Sequence, residues 1–113
     1  MVEAEPYKKI VTPYRMTASI AEKRIHEAAV NSDNVVISYH ALERMEQRDI
    51  FDVQLFDILR TGNVIESPTV TEFNEWKCKI VKKLRGAREA GVITVIMQSG
   101  RLFIKTVEWE DGK

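Results

Sequence analysis

The stretch that decides the fold is WKCKIVKK, residues 76–83. Its apolar residues recur at every second position, beginning with Trp76, Cys78 and Ile80. A period of two predicts a β-strand whose side chains point alternately to opposite faces of a sheet. One face of this strand is therefore apolar and the other is largely basic. The second face carries Lys77, Lys79, Val81 and Lys83.

Two further strands follow in the sequence. The glycine-bounded segment 86–91 predicts a hairpin loop, after which residues 92–97 form a strand with few polar side chains. Ser99-Gly100 marks a short turn before the last strand, residues 102–109. The three strands predict an antiparallel meander, and the strand at 92–97 is expected at its centre.

Before the meander, the apolar residues follow the helical period of 3.6. The third predicted helix is apolar around much of its girth, which predicts burial on more than one side. Asp52 is expected to cap this helix, and Gly62 to end it in the left-handed conformation. The predicted elements are a helix from about Thr17 to Val30, a short strand at 35–37, a helix ending near Arg48 and a helix ending near Arg60.

This order of elements predicts an α+β domain. We expect N-terminal helices packed on one face of a three- to four-stranded, mainly antiparallel sheet. Residues 17–113 form this single domain. Residues 1–16 are expected to form an N-terminal arm, because Pro6 and Pro13 disfavour a helix there.

Composition limits the function classes. The 113 residues have a formal net charge of zero, which argues against a general polyanion binder but allows a local basic patch. The single cysteine, Cys78, excludes an internal disulfide and a multi-cysteine metal site, and we expect it to be buried and inert. Without an apolar signal core or a membrane-length apolar run, the expected location is the cytoplasm. No metal or cofactor is predicted.

The segment 38–50 contains the densest group of reactive side chains. Ser38 is a predicted N-cap, and His40, Arg44 and Arg48 are spaced to share one face of the helix that follows. An imidazole can transfer a proton and guanidinium groups can bind phosphate, so the set suits phosphodiester cleavage. The alternative is a solvated face whose arginines pair with nearby carboxylates, and spacing alone favours this alternative.

A second candidate is the segment 77–88, which contains six basic residues and no acidic one. It predicts a cationic ribbon that could attract a polyanion such as RNA. An edge strand that uses lysines against aggregation is an equally good explanation. Lys105 extends the ribbon if it shares the face of Lys77. The candidate RNA-binding residues are Arg48, Lys79, Lys83, Arg85, Arg88 and Lys105.

The motif S-x-H-A-x-x-R-M-x-x-R at residues 38–48, followed by G-x-V-I-E at 62–66, resembles the signature of a bacterial domain of unknown function. That domain is similar to the RelE-like and MqsR-type toxins, and the resemblance covers about residues 35–108. It implies a RelE-like toxin fold and a metal-independent endoribonuclease, an mRNA interferase checked by an antitoxin protein. Its substrate would be free or ribosome-bound mRNA. His40 would then transfer the proton, while Arg44 and Lys77 stabilise the phosphorane.

The chain departs from these toxins because no tyrosine lies on the meander strands. A non-catalytic protein-interaction module of the same fold is therefore the alternative. The two interpretations make different geometric demands. A catalytic motif requires His40 and Arg44 within reach of the face that carries Lys77 and Lys79. A helix packed on the face of Cys78 would make the motif structural.

Overall fold

The computed structural model describes residues 15–112, and at residue 85 only the backbone. Of the predicted N-terminal arm, residues 1–14 lie outside the described part, and Met16 is buried in the core. The described helices are α1 (Ala18–Ala28), α2 (Tyr39–Arg48) and α3 (Asp52–Thr61). The described strands are β1 (Val35–Ile37), β2 (Asn63–Val64), β3 (Thr69–Val70), β4 (Trp76–Lys83), β5 (Glu89–Ile96) and β6 (Leu102–Trp109).

The six strands form one open sheet in the order β1-β6-β5-β4-β2, and β3 pairs with the beginning of β4. Strand β1 runs parallel to β6, and the other pairs are antiparallel. The predicted α+β class and the mainly antiparallel sheet are confirmed. The predicted number of three to four strands is wrong. Strands β1, β2 and β3 have only two or three residues each, too few to show a period of two.

All three helices pack an apolar side against the same face of the sheet. Ile25 of α1, Met45 of α2 and Leu59 of α3 join a single core that also contains Cys78 and Ile80 of β4. Each fully buried aliphatic side chain contributes about 1.5–3 kcal/mol relative to an exposed one. The predicted packing of helices on one face is therefore confirmed, and Lys77 and Lys79 point to the opposite side, here called the open face.

Side-chain caps fix where the first two helices begin. The Thr17 hydroxyl accepts a hydrogen bond from the N–H of Ile20 (3.1 Å), and the Ser38 hydroxyl accepts one from Ala41 (3.0 Å). The predicted Ser38 N-cap is confirmed. Helix α2 ends at Asp49, whose φ of 55° lies in the left-handed region.

The predicted end of α3 near Arg60 is confirmed, because the helix ends at Thr61, but both predicted capping residues are wrong. Its N-cap is Phe51, and Asp52 lies in the first turn. Gly62 has a φ of −79°, so the helix does not end in a left-handed residue. A glycine is needed there for another reason: a Cβ would lie 2.6 Å from the carbonyl oxygen of Ile58 and 2.7 Å from that of Val81. Helix α3 packs against α1 as well as against β4 and β5, while Val53 stays exposed.

Candidate functional site

A hollow of about 490 Å³ opens on the open face of the sheet. It combines two lysines and two glutamates with apolar and aromatic side chains. We call it the lysine hollow. Its lining residues are Thr69, Val70, Thr71, Glu72, Phe73, Glu75, Lys77, Val95, Met97, Phe103 and Lys105.

Strand register brings Lys77 into the lysine hollow. Lys77 lies beside Val95 of β5, which in turn lies beside Phe103 of β6. Cys78 and Ile80 of the same strand point into the core, so the period of two correctly predicted the side on which Lys77 lies. Lys77, Val95 and Phe103 therefore place an ammonium group next to an apolar and an aromatic side chain on the open face.

Lys105 reaches the same hollow through an irregularity in β6. Ile93 pairs with Thr106 and Thr94 pairs with Ile104, so Lys105 is an extra residue between two ladder positions. Such a bulge redirects side chains, and bulges are frequent next to active sites. Since strands lie about 4.8 Å apart, β4 and β6 are separated by about 10 Å, a span that two long lysine side chains can bridge.

The first turn of α2 is attached to this bulge. The Ser38 hydroxyl donates to the carbonyl oxygen of Lys105 (3.2 Å), and the Ser38 N–H donates to that of Ile104 (3.1 Å). The backbone around Lys105 is thereby held by both a neighbouring strand and a helix cap. His40, two residues after Ser38, is exposed.

The loop 71–75 forms one wall of the lysine hollow. The Thr71 hydroxyl accepts hydrogen bonds from the N–H groups of Phe73 and Glu75, both at 3.2 Å. The Glu75 carboxylate accepts from the N–H of Gln98 (3.0 Å), and the Gln98 amide donates to the carbonyl oxygen of Phe73 (3.2 Å). These contacts fix the loop, while the ring of Phe73 stays exposed at the hollow.

Lys79, two ladder positions beyond Lys77 and on the same open face, is held by two carboxylates. Its ammonium lies 3.1 Å from Glu108 and 3.1 Å from Glu110. Burial alone would lower the pKa of Lys79, but its hydrogen bonds to Glu110 and Glu108 outweigh that effect and raise the pKa. Gly91 makes room for this arrangement, because a Cβ there would collide with the Glu110 carboxylate and the Lys79 stem. The positive charge of Lys79 is therefore already neutralised by Glu108 and Glu110.

The rest of the predicted cationic ribbon does not join the lysine hollow. Arg88 forms a bidentate salt bridge with Asp111 (2.8 and 2.9 Å), and its guanidinium lies over the ring of Trp109. Lys83 lines a different hollow, beside α3. The side chain of Arg85 lies outside the described part. Lys77 and Lys105 are the predicted RNA-contacting residues that the lysine hollow brings together.

The polar stripe of α2 belongs to a helix whose buried side faces the core. Ala41 and Met45 pack in the cluster that contains Cys78, on the face opposite Lys77. Arg44 donates to Gln47 of its own helix (2.7 Å), and the carbonyl oxygen of Arg48 accepts from the Trp109 indole N–H (2.9 Å). This packing meets the condition stated above for a structural helix. The N-cap of this helix, Ser38, contacts the backbone of Lys105, and the other end of the helix contacts Trp109 of the same strand.

Cys78 is buried, as predicted, and burial raises the pKa of its thiol to about 11. The thiolate is the reactive form, so at pH 8 we expect alkylation by iodoacetamide about a hundredfold slower in the folded protein than in urea. The rate in the folded protein should rise about tenfold per pH unit between pH 7 and 10, as the thiolate fraction rises. Equal rates in folded and unfolded protein would contradict the burial of this thiol.

The sequence of the chain matches a known protein family. The sequence profile of a family described as "Domain of unknown function (DUF4258)" matches residues 37–109, more than half of the chain. The chain belongs to the DUF4258 family. The DUF4258 segment contains α2, α3 and all the residues of the lysine hollow, whereas α1 precedes it. No curated protein and no solved structure matches the chain.

The family match agrees with the predicted membership in a domain family of unknown function. It does not confirm the resemblance to RelE-like toxins, which stays a prediction. Among the described residues, no helix is long and apolar enough to cross a membrane.

Proposed function

We propose that this DUF4258 protein is a metal-independent endoribonuclease of the toxin type, with RNA bound at the lysine hollow. The observation that carries the proposal is that Lys77 and Lys105 line one hollow on the side of the sheet opposite the helices. Two ammonium groups about two strands apart suit neighbouring phosphates of a nucleic-acid backbone. The β6 bulge supports the proposal, because it adds Lys105 to this face without interrupting the core.

The aromatic residues of the hollow suit single-stranded RNA. Phe73 and Phe103 line it beside the two lysines. Bases of single strands stack on aromatic rings, at about 1–3 kcal/mol per base, while basic residues follow the phosphates. A single strand whose phosphates lie on Lys77 and Lys105 would bring its bases to these rings.

The proposed reaction is attack of a ribose 2′-hydroxyl on the adjacent phosphorus. The 2′-oxygen forms a bond to phosphorus, the bond to the 5′-oxygen breaks, and the products are a 2′,3′-cyclic phosphate and a 5′-hydroxyl. Lys77 would stabilise the charge of the phosphorane. Because α2 packs on the core side, the strand lysines carry the reaction: water would take up the 2′-hydroxyl proton, and the Lys105 ammonium would donate a proton to the leaving 5′-oxygen. An antitoxin protein would inhibit the enzyme by covering the hollow.

The alternative is a non-catalytic interaction module, and one observation favours it. Glu72 and Glu75 line the same hollow as the two lysines. Their carboxylates oppose a polyanion and suit a protein segment with charges of both signs. Under this alternative the hollow binds a partner chain, and RNA stays intact.

Incubation of the purified protein with mRNA in the presence of a chelator, with and without ribosomes, tests the proposal. We expect cleavage by the wild type that Lys77→Ala and Lys105→Ala each reduce at least about tenfold. Lys23→Ala, at an exposed position on α1, is the matched control and should keep full activity. Intact RNA with every protein, in both settings, would refute the endoribonuclease and leave the interaction module.

The carboxylates around Lys79 are expected to weaken RNA binding. In Glu108→Gln/Glu110→Gln, the ammonium of Lys79 loses its partners and two negative charges leave the open face. We expect the affinity for single-stranded RNA to rise about fivefold, since one charge pair at contact distance in water contributes about 1 kcal/mol. Fluorescence anisotropy with a labelled oligonucleotide measures the change.

Two controls separate this effect from a change in net charge. Glu27→Gln/Asp33→Asn removes two exposed carboxylates near α1 and should leave the affinity nearly unchanged. Adding Lys79→Met to the Glu108→Gln/Glu110→Gln variant should remove most of the gain. An unchanged or lower affinity of Glu108→Gln/Glu110→Gln would show that RNA does not approach Lys79.

A further inference from the structure

The corner between α2 and α3 carries large apolar side chains that the fold leaves in solvent. The exposed fractions are 45% for Leu42, 61% for Phe51 and 80% for Val53. Ile50, within the same corner, is buried and anchors it to the core. These residues and Met45 line a hollow of about 500 Å³, here called the corner groove.

Local folding does not account for these apolar residues. N-cap positions favour Ser, Thr, Asp or Asn, because a side-chain oxygen can accept from the first free N–H groups. Phe51 occupies the N-cap of α3, and there its own N–H donates to the Gln54 side chain (2.8 Å). Val53 is β-branched and largely exposed, which lowers helix propensity without a gain in burial. Exposed apolar patches that break local rules mark interaction surfaces.

The charge around the corner groove specifies the partner. Glu46, Asp49 and Asp52 line it, and no basic residue is among its lining residues. On the other side of Phe51 and Val53 a second hollow contains lysines, one of which is held by Asp57 at 2.8 Å. The carboxylates therefore lie on the α2 side of Phe51 and Val53, and a partner bound there would need positive charge.

We propose that the corner groove binds an amphipathic, basic helix of a partner protein. Its apolar side chains would cover Leu42, Phe51 and Val53, and its lysines or arginines would face the three carboxylates. A helix fits better than a strand, because the corner is built from helices and offers no unpaired sheet edge. A second copy of this chain fits poorly, since a two-fold interface would bring the same carboxylates together. The corner lies on the helical side of the sheet, so this inference does not depend on the lysine hollow.

Synthetic helical peptides test the inference. One peptide has a leucine stripe and lysines elsewhere, a second has glutamate in place of each lysine, and a third is a scrambled form of the first. We expect the leucine–lysine peptide to bind at least about tenfold more tightly than either of the others in anisotropy titrations. Phe51→Ser/Val53→Ser should weaken its binding at least tenfold. Val30→Ser/Ile65→Ser, which changes two other exposed apolar residues, should not.

Neutralising the carboxylates tests the charge requirement separately. Glu46→Gln/Asp49→Asn/Asp52→Asn should reduce the affinity for the leucine–lysine peptide at least tenfold, and asparagine tolerates the left-handed backbone of Asp49. Glu27→Gln/Asp33→Asn/Glu66→Gln is the control with the same change in charge. Circular dichroism and melting temperature verify folding of each variant.

Three results would overturn the inference. The first is the absence of peptide binding, and the second is equal affinity across the corner and control variants. The third is concentration-dependent dimerisation in sedimentation experiments that Phe51→Ser/Val53→Ser abolishes, which would assign the corner groove to a second copy of the chain.

Discussion

Lys77→Glu/Lys105→Glu should lower the affinity for single-stranded RNA at least about a hundredfold. Each replacement exchanges about 1 kcal/mol of attraction to a phosphate for a similar repulsion. Both side chains line the same hollow, so both changes act on the same stretch of RNA backbone. The slope of log affinity against log salt should also become shallower by about two phosphate contacts. Anisotropy titrations at several salt concentrations measure both quantities.

The matched control for this variant changes two cations on the helical side. Lys23→Glu/Arg60→Glu alters the net charge by the same amount at exposed positions of α1 and α3. It should lower the affinity by no more than about threefold, since a charge beyond about 10 Å is largely screened at 0.1 M salt. An equal loss in both variants would mean that RNA binding reflects overall charge and not the lysine hollow.

Gly62→Ala should lower the free energy of unfolding by about 3 kcal/mol. The added Cβ would lie 2.6 Å from the Ile58 oxygen and 2.7 Å from the Val81 oxygen, and both are backbone atoms that cannot rotate away. Helix α3 would have to move away from β4, which disturbs the packing of a dense core. A change of this size lowers the melting temperature by more than about 10 °C in a domain of this length. Urea unfolding followed by tryptophan fluorescence provides the free energy.

Gly100→Ala separates steric conflict from backbone conformation. Gly100 has a φ of 91°, yet a Cβ there would meet no atom within 4 Å. Its replacement should therefore cost about 1–2 kcal/mol, from the left-handed backbone alone. If Gly62→Ala costs no more than Gly100→Ala, the close approach of α3 to β4 is not what requires glycine at residue 62.

Much of the fold was predictable because its longer elements have clear periods. The alternation in β4 identified the core face and the face of Lys77, and Ser38 was identified as a helix cap. The short strands carried too few residues for a pattern, so the width of the sheet was underestimated. The role of Gly62 depends on Val81, a residue far away in the sequence, and local rules predict only the left-handed ending.

The candidate site was less predictable, because it depends on contacts between distant segments. The neutralisation of Lys79 comes from Glu108 and Glu110, about thirty residues further along the chain. The β6 bulge does have a signal in the sequence, because two polar residues, Lys105 and Thr106, stand between the buried Ile104 and Val107.

The motif of α2 shows what helical spacing can and cannot predict. Helical spacing correctly gives α2 as a continuous helix from Tyr39 to Arg48. It does not determine which side of the sheet that helix packs on. The structure places Ala41 and Met45 in the core, and the Ser38 cap contacts the backbone of Lys105, whose side chain lines the open face.

The most direct test of the proposed RNA site is a titration of the ¹⁵N-labelled protein with a single-stranded RNA oligonucleotide in a chelator, followed by amide chemical shifts. The lysine hollow predicts the largest shifts at Lys77, Val95, Phe103 and Lys105, with small shifts across α1. Shifts concentrated on α1 or the corner groove, or no shifts at low salt, would contradict an RNA site on the open face of the sheet.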